Sequence, residues 1–430
     1  MGYVLHKREG FKGGSPNRLL IVAACSACFF ISNLHRISPG IIANELMREF
    51  GASASVLGFL SSSYFYTYAL LQLPVGLLCD RYRPGLVMGT FMAAGALGCF
   101  IFAASRTLFM ALAGRVLLSA GVAAVFIPSV RIFDFAYRGA GASMATGILM
   151  AVGNIGGMSA SGPLAYAVVN YGWRGSMYVI GSATLAVGLA AMLATMRLGF
   201  RSKGKDSVEA EGFSPRRGRK EYLVILAGLS AAILLQYGSQ MGYQGLWGVP
   251  FITDVYGWTK TQAGNLIMLA SMGAALGAPM TGWLIAKKGF SIHRLLVASA
   301  VVILASWLPV VIRHDPSDLS SLAIGTFLIG WASAFTAILN PEFARRFISE
   351  DSRGAFLGIY NSASMAGGAI FQPLMGFVID RSVSSGAGLA AGYFSALRLG
   401  LASSALVLAI RVWMYYRYTR MDSPISRDAR

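Results

Sequence analysis

The chain has 430 residues, of which 55% are hydrophobic and only 13% are charged, and its formal net charge is +18. Soluble globular proteins carry about 25% charged residues, so this composition excludes an ordinary soluble enzyme. An excess of basic residues normally indicates a nucleic-acid partner, but a chain this apolar instead predicts a membrane protein whose Lys and Arg residues set its orientation.

Apolar stretches recur along the whole chain, and each is long enough to cross about 30 Å of hydrocarbon as a helix of roughly 20 residues. A closed β-barrel would show short alternating segments instead, so we predict an all-α integral membrane protein. Twelve spans are predicted in chain order, at residues 19–44, 56–79, 86–105, 107–131, 142–168, 176–196, 222–247, 262–286, 290–312, 319–341, 354–378 and 393–415.

These spans divide the chain into two predicted halves of six helices, residues 19–196 and residues 222–415. Residues 197–221 are charged, contain several Gly and Ser, and are predicted to be a cytoplasmic linker between the halves. Residues 1–18 and 416–430 are predicted to be cytoplasmic tails.

Basic residues are distributed unevenly between the two sides of this topology. With the N-terminus inside, 27 of the 36 Lys and Arg residues fall in cytoplasmic segments and seven fall at the outer side. Because Lys and Arg are retained in the cytoplasm, this bias predicts a multi-pass protein of the cell inner or plasma membrane with both termini cytoplasmic. Two arginines remain, Arg36 and Arg115, and both lie inside predicted spans.

Arg36 and Arg115 are the strongest functional signal in the sequence. An arginine in hydrocarbon costs roughly 3 kcal/mol on insertion scales and normally faces a polar cavity. Both lie about 12 Å from the outer ends of spans one and four, whereas all 18 acids fall in loops or at helix ends. Two cations without a counter-charge indicate a bound anion held by bidentate hydrogen bonds. The alternative is that they reach the surface or bond to backbone carbonyls.

Other polar side chains at comparable depth extend this candidate substrate-binding site. Each of them is as consistent with an interhelical hydrogen bond as with a ligand contact. Tyr237 of span seven is interpreted as a gate or interface aromatic. The polar set comprises Tyr64 and Tyr68 of span two, Asn154 of span five, Gln236, Gln240 and Gln244 of span seven, and Asn361 of span eleven.

The ends of four spans are related in sequence. Span two ends in PVGLLCDRYRP and span eight in PMTGWLIAKKG, and fainter versions, PLAYAVVNYGWR and PLMGFVIDR, close spans five and eleven. Four related endings indicate three-helix units repeated four times. That arrangement is typical of secondary transporters with nested inverted repeats.

In these motifs the chain resembles the major facilitator superfamily over essentially its whole length. GLLCDRYR at residues 76–83 is similar to the superfamily's loop motif between spans two and three, and GRVLLSAGVAAVF in span four resembles a second superfamily pattern. The resemblance implies two halves, each built from 3+3 inverted repeats, that rock about a central cavity. Asp80 and Arg81 are then predicted to be gating residues, and the alternative is a solvated loop that only sets topology.

Within that superfamily, SNLHRISPG and the following segment through GLLCDR resemble the organic-anion:cation symporters. That resemblance implies a site built from an arginine and a tyrosine in spans one and two, an arginine in span four, and amides in spans five and eleven. The chain departs from that family at His35 and Val122, where acids are usual. The matching site residues are Arg36, Tyr68, Arg115, Asn154 and Asn361.

His35 is also predicted to belong to the substrate-binding site. It is the one predicted intramembrane group that titrates near neutral pH, so it is a candidate carrier of a coupled proton. The neighbouring Arg36 opposes its charging, and protonation would then require the bound anion. The alternative is a neutral histidine hydrogen-bonded across helices, in which case anion exchange without net proton movement is expected.

These features predict a secondary active transporter that moves a small organic anion by alternating access, coupled to a proton through His35 or to exchange. The sequence shows no catalytic constellation, metal-ligand set or nucleotide-binding motif, so we predict neither an enzyme nor a cofactor. The predicted partners are the anionic substrate and the lipid bilayer, not nucleic acid, and the protein is expected to act as a monomer. Alternatives are a proton-driven exporter of drugs or neutral solutes, and a membrane ligand sensor with the same fold.

Overall fold

The computed structural model describes residues 18–137, 140–196, 198, 219–286, 291–348 and 350–419. Every regular element in these ranges is a helix, which confirms the predicted all-α class. Most of the predicted tails and of the predicted linker lies outside the described residues. The α-helices are α1 (Arg18–Ile37), α2 (Ala43–Phe50), α3 (Ala54–Arg81), α4 (Pro84–Ala103), α5 (Leu108–Ala123), α6 (Phe126–Ala136), α7 (Ala140–Ser159), α8 (Gly162–Met196), α9 (Arg219–Gly242), α10 (Gly248–Tyr256), α11 (Lys260–Ala286), α12 (Ile292–Val311), α13 (Ser320–Phe347), α14 (Glu350–Ser384) and α15 (Leu389–Thr419).

Ten segments built from these helices are long and apolar enough to cross a membrane, judged by length and composition within the described ranges. Two further helices, α3 with 28 residues and α7 with 20, pack among them. Helices of this length and hydrophobicity are the elements that satisfy their own backbone groups in hydrocarbon. The chain is therefore a multi-pass membrane protein, and the count of twelve spans remains a prediction.

Local sequence explains where several helices begin and end. Ser53 and Thr107 are the N-caps of α3 and α5, and their hydroxyl oxygens accept hydrogen bonds from the backbone N–H groups of Val56 and Met110 at 3.4 and 3.2 Å. Such caps satisfy donors that the first helical turn leaves without a partner. Helix α2 ends at Gly51, whose φ of 58° is a left-handed conformation that glycine adopts without steric cost.

Four predicted spans are interrupted where the hydropathy pattern is continuous. The predicted span 19–44 is too long, because α1 ends at Ile37 and a short 3₁₀ turn containing Pro39 leads to the separate helix α2. The predicted span 107–131 is divided between α5 and α6. The predicted span 142–168 is divided between α7, which ends at Ser159, and α8, which begins at Gly162. The predicted span 222–247 continues past α9 through a π-helical turn, Tyr243–Trp247, into α10. Apolar residues flank each break, so hydropathy alone does not reveal it.

Connectivity distinguishes the two ends of the helical assembly. The linker face is the end that holds Arg18, Met196 and Arg219, and the loop face is the end that holds α2 and the loop at 312–319. Helices α1–α8 are called the N-terminal group and α9–α15 the C-terminal group. The predicted linker joins the two groups at the linker face.

The two groups approach each other closely where α3 crosses α14 near the loop face. A Cβ atom on Gly58 would lie 2.6 Å from the carbonyl oxygen of Gln372, and one on Gly376 would collide with the backbone at Ala54. Glycine is needed at both positions, because a missing side chain is what lets two backbones come this close. Helix α11 makes the second contact between the groups, against α7 and α8.

Candidate functional site

Arg36 and Arg115 come together beside the end of α1. Arg36 lies in the last turn of α1, and Arg115 lies in α5 with only 1% of its surface exposed. The Nη2 atom of Arg115 donates a hydrogen bond to the backbone carbonyl oxygen of His35 at 2.9 Å. Because His35 directly precedes Arg36 in the chain, this bond places the two arginines at one level of the assembly.

Tyr64 and Tyr68, one turn apart on α3, form an aromatic wall beside the arginines. Their rings stack with 5.9 Å between centroids and 19° between planes. The Arg115 Cζ atom lies 5.7 Å from the centroid of the Tyr64 ring, which is a cation–π distance. Arg36 belongs to the same site, because it follows His35, whose carbonyl oxygen Arg115 contacts. The structure therefore brings these four predicted site residues together.

The described residues do not supply hydrogen-bond acceptors for all the N–H groups of either guanidinium. Arg36 donates from Nη2 to the side-chain oxygen of Asn33, and the Nε atoms of Arg36 and Arg115 are both buried without an acceptor. Within the described residues no carboxylate pairs with either arginine. A guanidinium has five N–H donors and no acceptor, so the site offers unfilled donors that suit an oxyanion.

The His35 side chain lies behind the arginines, inside the N-terminal group. Its ring is fully buried, and its Nε2 atom lies 2.9 Å from the hydroxyl oxygen of Thr184 on α8. It is the backbone carbonyl of His35, and not the ring, that contacts Arg115. This geometry corresponds to the alternative in which the histidine bonds across helices.

The predicted glutamines of span seven form hydrogen bonds within the C-terminal group. Gln240 donates to Gln244 at 3.1 Å, and Gln244 donates to the hydroxyl of Ser271 on α11 at 2.8 Å. Gln236 accepts a hydrogen bond from Arg411 at 3.4 Å. All three glutamines are buried. Their bonds connect helices of one group and do not join them to the two N-terminal arginines.

The two predicted asparagines lie at different levels. Asn154 is half-buried on α7, and one turn further a Cβ on Gly157 would lie 3.4 Å from the hydroxyl oxygen of Ser271, so this part of α7 faces α11. Asn361 is exposed on α14, eight residues or about 12 Å from Ala369, where α14 contacts α3. Asn361 therefore lies nearer the linker face than that contact.

Tyr237 faces the arginine site from the C-terminal group. Its ring contacts Phe65 with 6.4 Å between centroids, and Phe65 is the neighbour on α3 of Tyr64, over whose ring Arg115 lies. The predicted interface position of Tyr237 is consistent with this contact, but its proximity to Arg36 was not predicted. Tyr237 stands between two predicted site glutamines in the sequence, and this position does not indicate that it approaches Arg36.

Arg411 of α15 is a third buried arginine, with 2% of its surface exposed. The charge count includes it among the residues of the cytoplasmic side, and the structure shows that its side chain is buried among helices of the C-terminal group. Its position inside the predicted span 393–415 is the sequence feature that indicates a buried arginine. Unlike Arg36 and Arg115, it is surrounded by acceptors: Nη1 donates to the Leu296 carbonyl at 2.9 Å and to the Ser299 hydroxyl at 2.6 Å, and Nη2 lies 3.4 and 3.5 Å from the amide oxygens of Gln236 and Asn340.

Asp80 and Arg81, the predicted gating residues, end α3 at the linker face. Asp80 forms an ion pair with Arg131 of α6, in the same group of helices. The Arg81 side chain is exposed. Their role in gating remains a prediction.

At the loop face, polar contacts join the two groups. The Asp380 carboxylate of α14 accepts hydrogen bonds from the backbone N–H groups of Ala54 and Ser55 at 2.9 and 2.8 Å. Glu45 of α2 forms an ion pair with Lys260, the first residue of α11. A carboxylate at the positive N-terminal end of α3 is electrostatically favourable, so these contacts join the two groups at the loop face.

Two overlapping stretches of the chain, residues 20–243 and 229–428, match the sequence model of the Major Facilitator Superfamily. The chain belongs to this superfamily. The predicted resemblance is thereby confirmed. The same family model matches the N-terminal and the C-terminal part of the chain separately.

Curated relatives of this superfamily member match it over short segments. The probable sulfoacetate transporter SauU of Cupriavidus necator is 23% identical over 168 residues, 39% of each chain. The chloroplastic probable anion transporter 6 of Arabidopsis thaliana is 37% identical over 78 residues, 18% of this chain and 15% of the relative. The chloroplastic ascorbate transporter of the same plant is 30% identical over 74 residues, 17% and 14% of the two chains. The matches span less than two-fifths of the length of these relatives.

Solved structures of transporters share the fold over nearly the whole chain. A bacterial homologue of the human lysosomal transporter Spinster, in an inward-facing and occupied conformation, has a TM-score of 0.71 at 16% identity and covers 95% of this chain and 98% of its own. The POT family transporter PepTSo has a TM-score of 0.74 at 13% identity and covers 95% and 99%. At such low identity the likeness concerns the fold alone.

Proposed function

We propose that this protein is a secondary active transporter of twelve membrane spans, in two halves of six, that moves a small organic anion by alternating access. The observation that carries the proposal is that Arg115 lies over Tyr64 and bonds to the carbonyl of His35, the neighbour of Arg36, while both arginines have a buried N–H donor without an acceptor among the described residues. A carboxylate, phosphate or sulfonate group supplies those acceptors through charge-assisted hydrogen bonds. The names of the relatives, which include sulfoacetate and anion transporters, support the same chemistry.

We place the entrance to the site at the linker face in this conformation. The polar contacts of Asp380 and Lys260 hold the loop face closed. Toward the linker face, a Cβ on Gly76 of α3 or on Gly358 of α14 would have no neighbour within 4 Å. With both termini in the cytoplasm, as the charge bias predicts, the site opens inward across the inner or plasma membrane, and a monomer suffices for this mechanism.

The buried position of His35 supports exchange over proton symport. A side chain that carries a coupled proton has to meet water on each side of the membrane in turn, and this ring lies against Thr184 inside the N-terminal group. Exchange of one anion for another needs no titrating group in the site.

The two alternatives account less well for the arginines. A proton-driven exporter of drugs or neutral solutes has no need of two guanidiniums without acid partners. A membrane ligand sensor would use the same anion site without net transport. Counterflow of anion across a liposome membrane distinguishes a transporter from a sensor.

Binding of oxyanions to the purified protein tests the proposal. Thermal-shift titration with sulfoacetate, and with a panel of carboxylates and phosphates, should give a dissociation constant for the wild-type chain. Arg36→Gln and Arg115→Gln should each weaken binding by about 30-fold or more, because losing one partner of a buried charge pair costs roughly 2 kcal/mol or more. The conservative variants Arg36→Lys and Arg115→Lys retain the charge and should lose less affinity.

Arg411→Gln is the matched control, because Arg411 is as buried as Arg115 but already has acceptors in its own group. It should lower the melting temperature and leave the dissociation constant unchanged. Equal anion affinity in the wild type and in both N-terminal arginine variants would show that the anion does not bind at this site.

A further inference from the structure

Tyr237 places a hydrogen-bond donor of the C-terminal group next to the arginine site. Its hydroxyl oxygen is buried and has no hydrogen-bond partner among the described residues. Its ring contacts Phe65 with 6.4 Å between centroids; the Phe65 ring lies 5.5 Å from that of Tyr64, over which Arg115 lies. A buried hydroxyl without a partner is unfavourable, and the described residues provide no acceptor for this one, so it is suited to donate to a ligand.

Neighbouring tyrosines have partners within their own groups of helices. The Tyr64 hydroxyl lies 3.4 Å from the hydroxyl oxygen of Ser32, and the Tyr243 hydroxyl lies 2.8 Å from that of Thr326. The missing partner of Tyr237 is therefore not a general property of the tyrosines in this region. It distinguishes the tyrosine that lies at the boundary between the two groups.

Three unfilled groups around this boundary each carry a donor hydrogen. The Nε atoms of Arg36 and Arg115 are buried without acceptors, as is the Tyr237 hydroxyl. A guanidinium N–H can donate to the tyrosine oxygen, but a guanidinium cannot accept the hydroxyl hydrogen, so an arginine contact alone would still leave the Tyr237 hydrogen without an acceptor. A ligand rich in acceptor oxygens, which an oxyanion is, satisfies all three.

We propose that Tyr237 donates its hydroxyl hydrogen to the anion that Arg36 and Arg115 bind, so that a single oxyanion connects the N-terminal and C-terminal groups. This inference rests on the proposed function. It assigns to α9 a ligand contact that the predicted glutamines do not make, since Gln240 and Gln236 bond within the C-terminal group. The bound anion then contacts both of the groups that move during transport.

Tyr237→Phe tests the inference, with sulfoacetate and inorganic phosphate as probes and the full chain in detergent. The variant keeps the ring contact with Phe65 and removes only the hydroxyl. Its dissociation constant for the bound probe should rise about tenfold, which corresponds to about 1.4 kcal/mol. Tyr243→Phe is the matched control: it loses the bond to Thr326 within one group, so its melting temperature should fall and its dissociation constant should stay unchanged.

A double-mutant cycle separates a shared ligand contact from two independent effects. If Arg36 and Tyr237 hold the same anionic group, Tyr237→Phe should cost less than about twofold in the Arg36→Gln background. Full additivity of the two substitutions would overturn the shared contact.

The outcomes also separate this inference from the proposed function. An unchanged dissociation constant in Tyr237→Phe, together with weak binding in Arg36→Gln, would overturn only the role of Tyr237. Equal binding in all variants, or no binding of either probe to the wild type, would contradict both.

Discussion

A buried arginine either holds helices together or binds a ligand, and the acceptors around it distinguish the two roles. Arg411 meets oxygens from three other helices, so its charge is stabilised by neutral dipoles of the C-terminal group. Among the described residues, Arg36 and Arg115 each make one hydrogen bond and keep a buried Nε without an acceptor. An unmade hydrogen bond in a buried site costs about 1–3 kcal/mol, and a bound oxyanion removes that cost.

Replacing His35 with glutamine should leave the pH dependence of anion exchange unchanged. The ring is fully buried, and its one hydrogen bond, to Thr184, is a bond that a glutamine amide also makes. Exchange of labelled sulfoacetate in proteoliposomes between about pH 5 and 8, the range in which histidine ordinarily titrates, measures this. Thr184→Val is the control, since it removes the bond and retains the imidazole. A pH profile that flattens in His35→Gln would instead identify the ring as the proton carrier.

The sequence predicts the residues that form the arginine site more completely than it predicts which side chains of other helices face that site. Tyr64 and Tyr68 are four residues apart, a spacing that puts both on one helix face, and the structure stacks them. Gln236 and Tyr237 are consecutive on α9 and about 100° apart around it. Which of them faces Arg36 depends on how α9 is rotated, and the rotation is set by packing against residues such as Phe65 that are distant in the chain.

Helices α3 and α14 carry the same Gly-x-x-x-Asp sequence at opposite faces of the molecule. In α14, Gly376 packs against the backbone of α3 and Asp380 accepts hydrogen bonds from its first turn. In α3, a Cβ on Gly76 would have no neighbour within 4 Å, and Asp80 pairs within its own group. The copy in α14 forms contacts between the two groups, whereas the glycine of the copy in α3 has no neighbour within 4 Å of a Cβ. This arrangement is expected when the loop face is closed.

Asp380→Ala should shift the protein toward conformations that open at the loop face. The substitution removes the acceptor for two backbone N–H groups at the positive end of α3. Because a hydrogen bond to a charged group contributes roughly 1.5–3 kcal/mol, the equilibrium should shift by at least about tenfold. Spin labels at Arg106→Cys and Ser385→Cys, in a background without the native cysteines, should report a longer distance by double electron–electron resonance.

Asp315→Ala is the control for this shift. The Asp315 carboxylate accepts hydrogen bonds from Ser317 in its own exposed loop, and these bonds hold the pKa of Asp315 below its usual range. Removing it changes the charge at the loop face and leaves the contact between α3 and α14 intact. The same distance in Asp380→Ala and the wild type, or the same change in both variants, would show that Asp380 does not hold this face closed.

Hydropathy locates the helices of this chain but not their interruptions. The end of α1 at Ile37 and the start of α2 at Ala43 lie inside one apolar run. Helix α2 is placed by contacts with the C-terminal group, among them the ion pair between Glu45 and Lys260. Residues 215 positions apart make that contact, and a pattern read along a single segment contains no information about it.

The two groups of helices meet at the loop face and around Phe65 near the centre of α3. A Cβ on Gly368 would lie 2.7 Å from the Phe65 ring, and Tyr237 contacts the same ring from α9. A transporter that alternates access needs one sealed face, a central site and two bodies that rock about it. A ligand held by both bodies has different contacts in each state, and such differential contacts are what shift a conformational equilibrium.

The orientation of the molecule in the membrane determines whether the arginine site opens to the cytoplasm or to the outside in this conformation. The distribution of 27 basic residues against seven predicts that the linker face lies in the cytoplasm. In Ala210→Cys, a position in the predicted linker and outside the described residues, a membrane-impermeant maleimide should react only after cells are permeabilised. Ser385→Cys at the loop face should react in intact cells, and the native cysteines are buried, so their background should be low. Reaction at position 210 in intact cells would invert the topology, and the site would then open outward in this conformation.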